Sequence, residues 1–140
     1  MAQPVLSLAV PSEQESARRA ARTIVVVEDD TSMRAAIERV LGTAGFPVRS
    51  FATAAELLGN NVAASAACLI LDIHLPDQSG LDLRRQLLRA GIHPPVIFIT
   101  AFDGPYTRAQ AGELGAAGFL SKPFGGRQLL AAVSNAISLS

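Results

Sequence analysis

From Thr23 onward the chain alternates between short unbroken apolar runs and stretches whose apolar residues recur at helical spacing. Thr23-Ile24-Val25-Val26-Val27 is β-branched throughout, the pattern of a strand buried on both faces. Met33, Ile37, Val40 and Leu41 then follow a helical period, and Gly42 and Gly45 mark its end. Residues 47–51 read as a shorter, weaker strand, and Thr53-Ala54-Ala55-Glu56 is a capping box that opens a short helix to about Leu58. Residues 68–71 form the next apolar run, and Leu81, Leu83, Leu87 and Leu88 mark a helix after the turn at 76–80. Residues 95–99 predict another strand. Residues 106–114 predict a helix, although this stretch holds Gly112 and lacks a strong apolar stripe. Gly118-Phe119-Leu120 is the last strand, and Leu129, Leu130, Val133 and Ile137 form a final amphipathic helix.

Five strands alternating with five helices predict an α/β protein with a parallel sheet covered on both faces. Right-handed crossovers leave few topologies. Residues 1–22 differ in character and are expected to form a tail, with 23–140 as the folded domain. Ser12 followed by Glu15 fits a capping box, so a short helix over 13–22 competes with the favoured reading of a frayed, solvated tail. The apolar stretch at 6–10 lacks a preceding positive region, which argues against a secretory signal.

Composition narrows the function classes. With 140 residues, 49% of them hydrophobic, the chain supports one domain with a substantial core. Twelve basic residues balance twelve acidic ones, which excludes nucleic-acid binding driven by bulk charge. The single cysteine, Cys68, excludes a disulfide framework and reads as a small packed apolar residue. Apolar runs are too short to span a membrane, and the cytoplasm is the expected compartment.

In parallel α/β sheets chemistry gathers at the carboxyl ends of the strands. Here those ends are Glu28-Asp29-Asp30, Asp72, Thr100 and Ser121-Lys122-Pro123. Carboxylates converging in one cleft repel one another, and a hard divalent cation with oxygen ligands, Mg²⁺ above all, offsets this. Helix capping explains Asp30 or Thr31, but neither Asp72 nor Lys122 at the end of otherwise apolar strands. A carboxylate ringed by a lysine, a hydroxyl and a divalent cation suits phosphoryl chemistry, with the carboxylate as nucleophile and an acyl phosphate as product.

These residues carry a resemblance. Val26-Val27-Glu28-Asp29-Asp30, Leu71-Asp72-Ile73-His74-Leu75-Pro76 with Ser79-Gly80, Ile99-Thr100-Ala101, and Phe119-Leu120-Ser121-Lys122-Pro123-Phe124 together resemble the receiver domains of bacterial two-component response regulators. The stretch from Gly115 to Phe124 looks most like the nitrogen-fixation-type receivers. The resemblance implies a flavodoxin-like fold with strand order 2-1-3-4-5, the order shared by the chemotaxis receiver CheY. It implies that Asp72 is the phosphoacceptor and that Asp29, Asp72 and the backbone carbonyl of His74 hold Mg²⁺, with Glu28 reaching it through water. It further implies that Thr100 is the switch hydroxyl, Phe119 the switch aromatic, and Lys122 the phosphoryl partner, followed by a cis bond to Pro123.

The implied function is phosphoryl acceptance from a sensor histidine kinase, followed by a change in the face that a downstream partner, an appended output domain or a second copy reads. The resemblance implies no classical enzyme, only catalysis of its own phosphoryl transfer and slow dephosphorylation. Competing readings are a phosphate-independent interaction module and, ranked lower, an aspartate-nucleophile phosphohydrolase. His74 and Phe102, each two residues beyond a site residue, are expected at the cleft rim, where the Phe102 ring would hinder an attacking water. Arg84, Arg85 and Arg89 are expected to face solvent, Tyr106 to pack, and His93 to lie in a solvated loop.

Overall fold

The computed structural model describes residues 12–138. The apolar stretch at 6–10 lies outside them. Five strands, β1 (Ile24–Val27), β2 (Val48–Phe51), β3 (Cys68–Asp72), β4 (Val96–Thr100) and β5 (Gly118–Ser121), form one sheet in the order β2-β1-β3-β4-β5. Every pairing is parallel. The helices are α1 (Glu13–Ala21), α2 (Thr31–Thr43), α3 (Ala54–Leu58), α4 (Gly80–Arg89), α5 (Pro105–Glu113) and α6 (Gly126–Ser138). A single 3₁₀ turn at Ala63–Ser65 precedes β3.

Strand side chains alternate between two cores, as a period of two requires. Val25, Val27, Leu69, Leu71, Val96 and Phe98 face α3, α4 and α5, meeting Leu57, Leu83, Leu87 and Ala111. Ile24, Val26, Cys68, Ile70, Ile97 and Ile99 face α2 and α6, meeting Ile37, Leu41, Leu129 and Val133. Each central strand is thus buried on both faces, which explains why its sequence is apolar without interruption. The edge strand β5 is only half-buried along its length.

Local chemistry sets the helix starts. Asp30 Oδ1 accepts from Met33 N–H at 2.8 Å and caps α2. Thr53 Oγ1 accepts from Glu56 N–H at 3.0 Å, while Glu56 Oε2 accepts from Ala52 N–H at 2.8 Å. Ser79 Oγ accepts from the N–H groups of Leu81 and Asp82 and caps α4. Gly45 closes α2 with φ +94°, a conformation that disfavours any side chain.

Three expectations are corrected. Of the two readings of the first segment, the helix is found in place of the favoured frayed tail: residues 13–21 form α1, where Ser12 Oγ accepts from Glu15 N–H at 3.1 Å. Arg22 Nη2 donates to Gly45 O at 3.2 Å, linking the end of this segment to the α2–β2 turn. Arg84 is buried rather than solvent-facing. Its Nη1 donates to Pro94 O at 2.8 Å and its Nε to Leu114 O at 3.3 Å, satisfying the carbonyl at the end of α5. Tyr106 is 74% exposed rather than packed, because α5 contributes only Ala111 to the core.

Candidate functional site

The carboxyl ends of β1, β3, β4 and β5 converge on one cleft. Register places Asp72 beside Ile99 and Thr100 beside Ser121, so the residues following each strand emerge at one edge of the sheet. The β3–α4 loop is pinned at that edge by an isolated bridge between His74 and Ser79 and by Gly80 N–H donating to Ile73 O at 2.9 Å. Gly80 has no room for a side chain: a Cβ there would lie 2.2 Å from Asp72 O.

Glu28 and Asp72 are both buried, and Asp29 is exposed beside them. One carboxylate oxygen from each of the three falls within 4.8 Å of the others. Lys122 Nζ lies between two of them, 2.9 Å from Asp72 Oδ2 and 2.5 Å from Glu28 Oε1. The other Asp72 oxygen accepts from His74 N–H at 2.9 Å. Glu28 Oε2 accepts from Asp30 N–H at 3.2 Å. Glu28 Oε1 is buried, and its contact is the ion pair with Lys122.

Electrostatics explains the cost of this arrangement. Burial, above all, pushes the Glu28 carboxyl up to about 7; the Asp72 carboxylate adds to the shift and Lys122 opposes it. Burial works against the charged form of Lys122, but Glu28 and Asp72 together outweigh it and hold its pKa above the ordinary value. Three carboxylates cluster here, and the one ammonium contacts two of them. The excess of carboxylates over ammonium and the all-oxygen donor set fit a hard divalent cation such as Mg²⁺.

The other expected site residues surround this cluster. Thr100 is buried, and its Oγ1 accepts from Phe102 N–H at 3.0 Å. Phe119 on β5 is partly buried against the α3–α5 core. The peptide bond between Lys122 and Pro123 is cis. His74 is exposed, and its ring meets that of Phe102 edge-on with centroids 5.0 Å apart. Phe102 is 70% exposed.

Several contacts around the cleft have no counterpart in the sequence reading. Arg34 Nη1 donates to Glu28 O at 2.8 Å. Asp77, in the loop before α4, accepts from the N–H groups of Ala54 and Ala55 at 3.2 and 2.9 Å, so it caps α3 from more than twenty residues away. Those N–H bonds hold its carboxyl below the usual range. Asp103 accepts from Arg108 Nε at 2.7 Å, from Arg108 Nη2 at 2.8 Å and from Ser121 Oγ at 2.6 Å. The Arg108 guanidinium also lies 4.5 Å from the centroid of the Phe119 ring. The spacing of Asp103 and Arg108 is five, off the helical i,i+4 pattern, so sequence offers no signal for the pair.

An all-parallel doubly wound sheet, with an acidic cleft and a lysine at its carboxyl edge, defines the class of protein. Residues 24–134 match the family model described as the response regulator receiver domain, and the chain belongs to that family. It is 46% identical over 112 residues to nodulation protein W of Bradyrhizobium diazoefficiens, covering 79% of this chain and 48% of that protein. It is 33% identical over 115 residues to the transcriptional regulatory protein FixJ of Azorhizobium caulinodans, covering 82% and 54%. The chain therefore spans about half the length of the curated relatives it matches. Among solved structures, the non-phosphorylated HemR receiver domain of Leptospira biflexa superposes with a TM-score of 0.78 at 30% identity, covering 84% of this chain and 95% of that one. No helix among the described residues is long and apolar enough to cross a membrane.

Proposed function

We propose that residues 23–140 form a phosphoaccepting receiver unit in which Asp72 takes a phosphoryl group from the phosphohistidine of a sensor kinase. The observation that carries this reading is Lys122 Nζ, seated between Asp72 Oδ2 and Glu28 Oε1 in a cluster of three carboxylates. In the transfer, an Asp72 oxygen forms a bond to phosphorus as the bond from phosphorus to the kinase imidazole nitrogen breaks. The electron pair of the broken bond returns to that nitrogen.

Lys122, already 2.9 Å from Asp72, neutralises one of the phosphoryl oxygens as charge moves. Thr100 leaves its bond to Phe102 N–H and donates its hydroxyl to another. His74 N–H, which now holds an Asp72 oxygen at 2.9 Å, orients the nucleophile. Asp29 and Asp72, with the His74 carbonyl and Glu28 through water, are the groups that would hold Mg²⁺. A bound Mg²⁺ supplies positive charge to the phosphoryl oxygens in transit.

Phe119 then follows Thr100, and the face built from α5, β5 and α6 changes for its reader: an appended output domain, a separate protein or a second copy of the chain. The setting is the cytoplasm, where a sensor kinase presents its phosphohistidine.

Intact-mass measurement after incubation with Mg²⁺ and acetyl phosphate tests this reading, with Asp72→Asn alongside. A single phosphoryl adduct that is lost in the variant and without Mg²⁺ is expected. No adduct, even with the cognate kinase supplied, overturns it in favour of a phosphate-independent interaction module.

A further inference from the structure

Helix α5 is held to the domain chiefly by polar ties. It buries only Ala111 among its residues. Its carboxyl end is tied through Leu114 O to the buried Arg84. Its amino end is tied by the fork of Arg108 on Asp103, at 2.7 and 2.8 Å. The same carboxylate takes the Ser121 hydroxyl at 2.6 Å. One side chain thus joins the β4–α5 loop to α5 and to the end of β5. Asp103 stands three residues after Thr100, and Ser121 immediately precedes Lys122.

The fork does a second thing. With its guanidinium 4.5 Å from the Phe119 ring, Arg108 covers one face of that ring. A ring so covered gains a cation–π attraction that it loses on moving away. Bidentate arginine–carboxylate pairs have defined geometry, unlike most surface ion pairs. Arg108 and Ser121 together hold the Asp103 carboxyl below its ordinary range, so the acceptor stays charged at neutral pH.

We propose that Asp103 and Arg108 form a latch that stabilises the unphosphorylated conformation. This rests on the reading of Thr100 and Phe119 as the moving parts. A movement of Thr100 toward a phosphoryl group on Asp72 disturbs the bond that its Oγ1 accepts from Phe102 N–H, and Phe102 is bonded directly to Asp103. Displacement of that loop strains the three hydrogen bonds on the Asp103 carboxylate. Displacement of Phe119 uncovers its ring from Arg108. Both movements therefore oppose the same latch, and opening it couples them. Asp103 and Arg108 are positioning residues; neither contacts Asp72 or Lys122.

If the latch biases a two-state equilibrium, removing it favours the phosphorylated-type state before any phosphoryl group arrives. The experiment measures binding of beryllofluoride, a phosphoryl mimic, in the presence of Mg²⁺ to the whole chain and to Arg108→Met, Asp103→Asn and Arg108→Lys. Methionine keeps most of the stem and loses the fork; lysine keeps the charge and loses the bidentate geometry. The expected result is several-fold tighter beryllofluoride binding in Arg108→Met and Asp103→Asn, an intermediate gain in Arg108→Lys, and unchanged Mg²⁺ affinity. A merely structural role for the pair would lower the melting temperature without tightening beryllofluoride binding. Wild-type binding with equal or weaker binding in the variants overturns the latch and leaves the switch reading intact. Failure of the wild-type chain to bind beryllofluoride overturns both.

Discussion

Gly80 gives the sharpest test of how the scaffold holds the nucleophile. Its backbone crosses directly over the main chain of Asp72: an added Cβ would sit 2.2 Å from Asp72 O, 3.0 Å from Asp72 C and 3.1 Å from Ile73 Cα. Contacts of this kind essentially never fall below 3.0 Å, so the substitution Gly80→Ala must open a gap of at least 0.8 Å, the difference between 2.2 and 3.0 Å. The obstructing atoms are backbone, with no flexible side chain to yield. Either the start of α4 lifts away, breaking the 2.9 Å bond from Gly80 N to Ile73 O, or Asp72 shifts within the cleft.

Overpacking of this sort costs about 1–3 kcal/mol. For a domain of this size that lowers the melting temperature by roughly 3–12 °C. A displacement near 1 Å at a reacting group can cost about 10²-fold in rate. Gly80→Ala is therefore expected to slow phosphorylation by acetyl phosphate by roughly ten- to a hundred-fold at a temperature where it remains folded. Melting followed by circular dichroism, with mass-detected phosphorylation kinetics on the same samples, reads both effects. A variant that melts and reacts like the wild type would refute the claim that close backbone packing positions Asp72.

Two further outcomes follow from the cleft. With its carboxyl raised to about 7, Glu28 holds a proton below that value, and a cation must displace it. Mg²⁺ affinity, followed by calorimetric titration from pH 8 to pH 6, is expected to fall as pH is lowered through about 7, by at most about tenfold per unit. Glu28→Gln should flatten that profile, and an equally steep profile in the variant would assign the proton elsewhere. Without the cation the sign reverses for stability: the unfolded carboxyl ionises near 4.5 and the folded one near 7, so this group's contribution declines as pH rises between those values. At the rim, Phe102 presents an apolar ring against His74. Phe102→Glu should speed loss of the phosphoryl group several-fold by replacing that ring with a group that can hold a water; an unchanged decay rate would remove Phe102 from control of hydrolysis.

The strands and the residues at their ends were legible because burial on both faces forces an unbroken apolar run, so a lone Asp72 or Lys122 after such a run stands out. The capping boxes at Ser12 and Thr53 were legible because their bonds are local. For residues 13–22 sequence leaves a capped helix and a frayed tail in competition; the helix is found, with a cap from Ser12 at its start and a tie from Arg22 to Gly45 O beyond its end. Arg84, grouped with Arg85 and Arg89 on one helix, reads in sequence as a surface charge; only the fold supplies Pro94 O and Leu114 O as its partners.

Sequence alone determined that the sheet is parallel, that its carboxyl edge is acidic, and that a lysine joins it there, because period and strand-end chemistry are written residue by residue. Only the tertiary structure decided that Lys122 sits between Glu28 and Asp72, that Gly80 lies against the Asp72 backbone, that Asp77 caps a helix far from it in the chain, and that Asp103 gathers Arg108 and Ser121. Each of these is a contact between segments brought together by strand order and helix packing. Its strength depends on distance and direction in space, quantities that no local pattern of residues records.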